Sequence, residues 1–220
     1  MKVAAKIAIA VIILSLTGCS NTAYKTEEIE YIRSDLQKIN TVLDELVASK
    51  HEILKQIEIN RLAPYISIVA AARKNVSDGY TTEDIVFALD KAYAKYKLSS
   101  LNFTLDDWFA QARVESVFNS QVTSRVGAMG LLQVMPSTAT WLNRIHFKID
   151  NFSTDMLYDP YICAEFGAYY MKTLLVEYRD KNVALEAYNG GPGNIGIAAT
   201  RGYRNTVLTI SRSYLQKRGN

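Results

Sequence analysis

Histidine and cysteine are nearly missing from this chain: His51, His146, Cys19 and Cys163 are all that 220 residues hold. Their unrelated spacings supply no tetrahedral ligand set, so no metal is expected. Cys163 has no motif linking it to a histidine base, which a thiolate nucleophile needs, and it reads as a buried helix cysteine. Net charge is small as well: 25 Lys and Arg against 22 Asp and Glu give +3. Without a basic stripe interleaved with aromatics, a nucleic-acid partner is not expected. No run of useful length alternates with the period of a strand, so the chain is expected to be all-α. With 49% apolar residues and a mean hydropathy near zero, it is neither a disordered tail nor a polytopic membrane protein. Acid is missing from one place in particular. After Glu115 no Asp or Glu occurs until Asp150.

The first residues carry a processing signal. Lys2 and Lys6 precede an apolar run, Ile7 to Leu16, that is too short to span a bilayer. Leu16-Thr17-Gly18-Cys19 then resembles a bacterial lipobox. That resemblance implies a signal peptide over residues 1–18, a Cys19 acylated by chains such as palmitate, and a lipid-anchored tether over 19–25. Ser20 stands where an Asp would resemble an inner-membrane retention signal, so a Gram-negative host would carry the chain on the periplasmic face of its outer membrane. Loss of Lys2 and Lys6 leaves a mature charge near +1 (3 − 2). An acylated Cys19 leaves Cys163 with no partner for an intramolecular disulfide.

Residues 26–99 are expected to form a helical stalk or brace. Ile29, Ile32, Leu36, Ile39, Leu43 and Leu46 follow a 3-4-3-4-3 spacing that resumes at Ile53 and Ile57, with Lys50 in the seam between. Such a narrow apolar stripe suits self-association of residues 26–62 as a coiled coil, and equally a long helix docking on its own domain. Pro64 is expected to end or kink that helix. Two further helical patterns lie between Tyr65 and Lys97, separated by the turn signal Ser77-Asp78-Gly79. Thr104 is placed to cap a helix running from Leu105 to about Asn119, with Glu115 in its last turns. Helices are also expected over Pro136 to Ile145, from Asp159-Pro160 to about Tyr178, over Asn182 to Tyr188 and near Thr206 to Gln216, around a loop at Asn189 to Asn194. The fourteen tyrosines suit carbohydrate stacking and ordinary helix packing alike.

Three segments carry chemistry: Glu115-Ser116, Gly130-Leu131-Leu132-Gln133, and Ala187-Tyr188-Asn189-Gly190-Gly191-Pro192-Gly193. In this order they resemble the signature motifs of lytic transglycosylases of the soluble-transglycosylase (SLT) type, over about residues 100–210. The resemblance implies a goose-lysozyme-like helical catalytic domain over 100–220, peptidoglycan glycan strands as substrate, and no cofactor. It also explains the solitary acid. Ordinary glycosidases set two carboxylates across the bond. In this family one glutamic acid protonates the oxygen between N-acetylmuramic acid and N-acetylglucosamine. It then draws the proton from the muramic 6-hydroxyl, which closes a 1,6-anhydro ring. Glu115, beside Val114 and Phe118, is that catalytic residue by the resemblance, kept protonated by apolar surroundings. The rival acids Asp106 and Asp107 are explained by helix capping, and Asp150 and Glu165 lie outside the motifs.

The resemblance further implies Ser124 hydrogen-bonding near the glutamate and the acetamido group. Gln133 and Met135 would be floor and wall of the sugar groove, and Tyr188 the tyrosine whose hydroxyl meets the glutamate. Asn189 would tie the following loop or touch sugar, and Ser116 would stabilise local backbone. Gly127 and Gly130 would let backbone approach substrate or turn tightly. Three positions depart from the family pattern. Leu132 replaces a methionine. Cys163 stands where asparagine is usual, which threatens a helix-to-loop hydrogen bond. A Glu-Thr pair followed by a tyrosine three residues beyond its threonine is expected near the end, where Thr206 occupies the tyrosine position and Tyr203 would supply a ring from a shifted one. Two other readings stay open: a muramidase using water on the same fold, and a non-catalytic wall-binding lipoprotein.

Overall fold

The computed structural model describes residues 24–218, with side chains from 30 to 217. The signal peptide, Cys19 and most of the tether lie outside the described residues. Described secondary structure is helical, with only isolated bridges pairing Thr123 with Met129 and Met129 with Val134. Seven α-helices follow in order: α1 Tyr24–Ala72, α2 Thr82–Lys95, α3 Leu105–Ser116, α4 Pro136–Leu142, α5 Pro160–Tyr178, α6 Lys181–Gly190 and α7 Ala198–Arg218. Among the described residues, no helix is long and apolar enough to cross a membrane.

The chain divides into two compact units between Arg61 and Leu62. In the first unit, α1 carries the expected seam, and its apolar side chains stand exposed: Ile39, Leu43, Leu46, Ile53 and Ile57 are each about half open to solvent. Pro64 does not end this helix, which runs on to Ala72. The carbonyl of Asn60 loses its intrahelical donor there. Burial of Leu62, Tyr65 and Val69 just around the proline offsets that loss.

The second unit begins with those residues, so the core draws on part of the segment assigned to the brace. Tyr65 stacks on Phe109 of α3 with ring centroids 4.3 Å apart, and its hydroxyl donates to Asp106 at 2.9 Å. Ile85, Val86 and Leu89 of α2 are fully buried, as are Trp108, Phe109 and Phe118. Burying each such side chain contributes roughly 1.5–3 kcal/mol. Packing runs from α3 to α7, α2 to α5, α5 to α6 and α6 to α7. Threonine caps set two of these helices. Thr81 and Thr104 each form a reciprocal capping box, with Asp84 and Asp107 respectively. Asp107 is then held by Lys181 at 2.9 Å and Ser211 at 2.7 Å, which ties α3 to α6 and α7.

A buried ion pair fixes the exit from α3. Arg73 meets Asp78 at 2.7 Å with both side chains almost fully enclosed. Arg73 also donates to the carbonyls of Phe118 and Tyr80, and Asp78 accepts from the amide and hydroxyl of Ser120. Burial alone would raise the Asp78 pKa. The Arg73 guanidinium and the Ser120 and Tyr80 amides outweigh it and lower the pKa to about 2. The carboxylate therefore stabilises the fold above its ordinary pKa, and that contribution is lost as pH falls through about 2. Acid titration of stability by urea unfolding should lose about 2 kcal/mol across that window, and D78N should flatten it.

Candidate active site

Glu115 occupies the last turn of α3, a helix that ends at Ser116 rather than near Asn119. Val117 and Phe118 both take left-handed backbone (φ 54° and 61°), and the Val117 amide closes the helix on the Arg113 carbonyl. Phe118 can then enter the core while Val117 faces solvent. Glu115 keeps some surface, but its carboxyl is enclosed, and burial raises its pKa to about 7. The hydrogen bond from Tyr203, which opposes that shift, leaves the net effect upward. Arg113, the nearest base in sequence, donates instead to the Tyr214 hydroxyl at 3.3 Å.

The hydroxyl that meets Glu115 belongs to Tyr203, which donates to Oε1 at 2.5 Å. Tyr188 donates to the carbonyl of Leu132 at 3.0 Å, close enough to Glu115 that its charge helps raise the Tyr188 pKa behind the larger effect of burial. The tyrosine expected at the glutamate is therefore replaced in that contact by Tyr203. The register explains why. Thr200 lies three residues before Tyr203, so the threonine–tyrosine spacing expected of the family is present, with Ala199 in the place of the glutamate. Thr206 is one turn beyond and only bonds back to Gly202. Because α7 starts at Ala198 and not near Thr206, Tyr203 sits within regular helix.

The three sequence motifs meet on the backbone of the second. The Ser116 hydroxyl donates to Leu131 O at 2.8 Å and the Tyr188 hydroxyl to Leu132 O. Gly167 on α5 makes room for this meeting, since a Cβ there would come within 2.8 Å of Leu132 and 3.2 Å of the Tyr188 hydroxyl. Gly130, at φ +74°, packs so closely that a Cβ would lie 2.1 Å from the Leu157 carbonyl. The room that this glycine leaves is thus filled by the protein's own backbone. Cys163 keeps a helix-to-loop link although it stands where asparagine is usual. Its sulfur accepts from Leu132 N at 3.3 Å and donates to Met129 O at 3.7 Å. Burial pushes that thiol up to about 12, which makes it inert as a nucleophile.

Gln133, Met135, Tyr188 and Asn189 come together around a cavity of about 250 Å³, joined by Thr138 and Tyr170. Tyr170, which sequence reading missed, packs against Tyr188 at 5.2 Å. It also lines an adjoining cavity of about 360 Å³ that carries the half-exposed Trp141. Gln133 both lines the first cavity and braces it, since Nε2 donates to Val122 O at 3.0 Å and to Gly130 O at 2.9 Å. The Ser124 hydroxyl accepts the Ala128 amide at 3.0 Å and closes the Ser124–Ala128 turn. The loop after Asn189 is tied by Asn194, which donates to Gly190 O at 2.7 Å, leaving Asn189 exposed on the cavity wall. The rival acids are engaged elsewhere: Asp106 with Tyr65, Asp107 with Lys181, Glu165 with Lys95. Asp150 is exposed.

This arrangement has relatives. The transglycosylase SLT domain model matches residues 94–206, just over half of the chain. The soluble lytic murein transglycosylase of Escherichia coli K12 is 38% identical over 127 residues, covering 48% of this chain and 20% of that protein. The chain thus spans about a fifth of the length of that relative. A transglycosylase of Enterobacteria phage PRD1 is 38% identical over 97 residues, 44% of this chain and 33% of that one. The crystal structure of an inactive mutant of the lytic transglycosylase Slt from Pseudomonas aeruginosa superposes with a TM-score of 0.51 at 29% identity, over 60% of this chain and 24% of that one. The match of the transglycosylase SLT domain model over more than half of the chain, on the helical domain in which Tyr203 holds the enclosed Glu115, places the chain in the transglycosylase SLT domain family.

Proposed function

We propose that the chain is a peptidoglycan lytic transglycosylase that cleaves between N-acetylmuramic acid and N-acetylglucosamine and leaves 1,6-anhydro ends. The observation that carries this reading is Glu115: a carboxyl raised by burial to about 7, bonded to the Tyr203 hydroxyl, with no other acid contributing to its pKa. At that pKa a large share of Glu115 holds its proton near neutrality and can give it to the leaving oxygen. Once ionised, the same group can accept the proton of the muramic 6-hydroxyl, so the substrate supplies the nucleophile. Relatives named as murein transglycosylases support the substrate class. Gln133, Met135, Tyr170, Tyr188 and Asn189 line the cavity that would take the glycan strand. Ser124, whose hydroxyl oxygen accepts the Ala128 amide in the turn before the second motif, would offer its O–H near the acetamido group. Borohydride treatment of digested sacculi tests the reading. Anhydro ends resist reduction, whereas products converted wholly to alditols would mean hydrolysis.

The lipobox resemblance supports cleavage before Cys19 and acylation of that residue, holding the enzyme at the periplasmic face of an outer membrane. Residues 26–62 act as a stalk that self-associates, because the exposed seam at Ile39, Leu43, Leu46, Ile53 and Ile57 keeps coiled-coil spacing. Sedimentation of the soluble protein should show a concentration-dependent oligomer that L43E and L46E together dissociate. A monomer at every concentration would remove this assignment.

A further inference from the structure

Gln111 lies one helical turn before Glu115 on the same face of α3. It is fully buried, and neither its Nε2 nor its Oε1 finds a hydrogen-bond partner. Leaving a buried polar atom unsatisfied is destabilising, so an orphaned amide in this position calls for a reason. The side chain faces the Tyr203 hydroxyl without completing a bond of ordinary geometry, and its effect on that hydroxyl is to lower a pKa that burial and the nearby Glu115 charge raise. Tyr203 has one proton, which it spends on Glu115. What remains on its oxygen is acceptor capacity, so an amide approaching it must offer N–H.

We propose that Gln111 is a positioning residue that donates through Nε2 to the Tyr203 hydroxyl and thereby locks that hydroxyl as a donor to Oε1 of Glu115. The consequence concerns where the catalytic proton sits. A free tyrosine hydroxyl beside a protonated carboxyl can turn and accept the carboxyl proton, hiding it from any leaving group. With its acceptor side occupied by Gln111, Tyr203 can only donate. Oε1 is then the acceptor oxygen, and the proton of Glu115 rests on Oε2. Hydrogen bonds in resting sites are often loose and tighten in the complex with substrate, which accounts for the incomplete contact. The catalytic consequence rests on the transglycosylase reading above, but the proton arrangement does not.

The other titratable groups coupled to Glu115 are Tyr203 on α7, Tyr188 on α6 and Cys163 on α5. Of these, Tyr203 is the one on which Gln111 acts, and changing Gln111 to methionine keeps volume while removing the donor. The test is a carbon-13 titration of the Glu115 carboxyl, assigned by its loss in E115Q, in wild type, Q111M, Y203F and the double variant, together with kcat and KM on glycan strands. Weakening donation from Tyr203 destabilises the carboxylate. Q111M should therefore move the Glu115 midpoint alkaline by roughly half a pH unit. It should lower kcat by about two- to tenfold with KM unchanged. Y203F should shift the midpoint further, and Q111M should add nothing in the Y203F background. An unchanged midpoint in Q111M, or an equal shift with and without Tyr203, would overturn the proposal. Should Q111M fail to fold, the Gln111 side-chain amide of the wild type serves instead. Its nitrogen-15 resonance should follow the Glu115 titration and cease to do so in Y203F, and an amide indifferent to that titration would equally overturn it. The titration needs no substrate, so an enzyme that released no anhydro products would sink the transglycosylase reading and leave this result standing.

Discussion

E115Q should leave purified sacculi turbid under conditions in which the wild type clears them. The substitution keeps the shape of the side chain and its ability to accept from Tyr203, but it cannot deliver or take a proton. General acid–base catalysis contributes about 10²–10⁴-fold per group. Here one group serves both steps, so the loss should lie at the upper end of that range or beyond. The pH dependence follows from the same carboxyl. Activity needs protonated Glu115 and should fall as pH rises through about 7. With no second carboxylate acting as base, no matching acidic limb from such a group is expected, in contrast to the bell of a two-acid glycosidase. Clearing by E115Q at the wild-type rate would remove Glu115 from the chemistry.

The same substitution should make the protein more stable. Burial raises the Glu115 pKa from 4.5 to about 7, so the folded state holds this proton more tightly than the unfolded chain does. Below about 4.5 both states are protonated and nothing is lost. As pH climbs from there to about 7, the unfolded chain releases its proton while the folded protein retains it, and stability declines. Above that point the full cost persists, about 3 kcal/mol. Denaturant unfolding at pH 8 should therefore show E115Q more stable by an amount of that order. The difference should shrink steadily toward pH 4. A variant that gains nothing at alkaline pH would mean that the carboxyl is solvated and not primed as an acid. Function and stability oppose each other at this one residue, as is common where an active site holds a group in an unfavourable environment.

Local chemistry made much of this legible in the chain itself. Thr104 with Asp107, Asp159 with Pro160, and the three motif segments each carry their own signal, and the structure places helix starts and the walls of a cavity where those signals lie. What could not be read was decided by packing. Pro64 is a helix breaker by propensity, but burial of Leu62, Tyr65 and Val69 carries α1 through it. Val117 and Phe118 have no reason in their own preferences to turn left-handed. Arg73, reaching from far upstream to the Phe118 carbonyl, holds that turn. Cys163 threatens a hydrogen bond in the sequence because it stands where asparagine is usual. At close range within a buried joint it still links Leu132 to Met129. Tyr203 looks out of register in the sequence because Ala199 removes the acid that would mark the pair ending in Thr200. Gln111 gave no signal at all: a glutamine between Ala110 and Ala112 looks unremarkable until its burial is known.

The account turns on where the nucleophile comes from. Digestion of sacculi in heavy-oxygen water, followed by mass spectrometry of the released fragments, reads that directly. If the muramic 6-hydroxyl attacks, the new ends are one water lighter than hydrolysis products and carry no heavy oxygen. Fragments with reducing ends that have each gained a heavy oxygen would contradict the account.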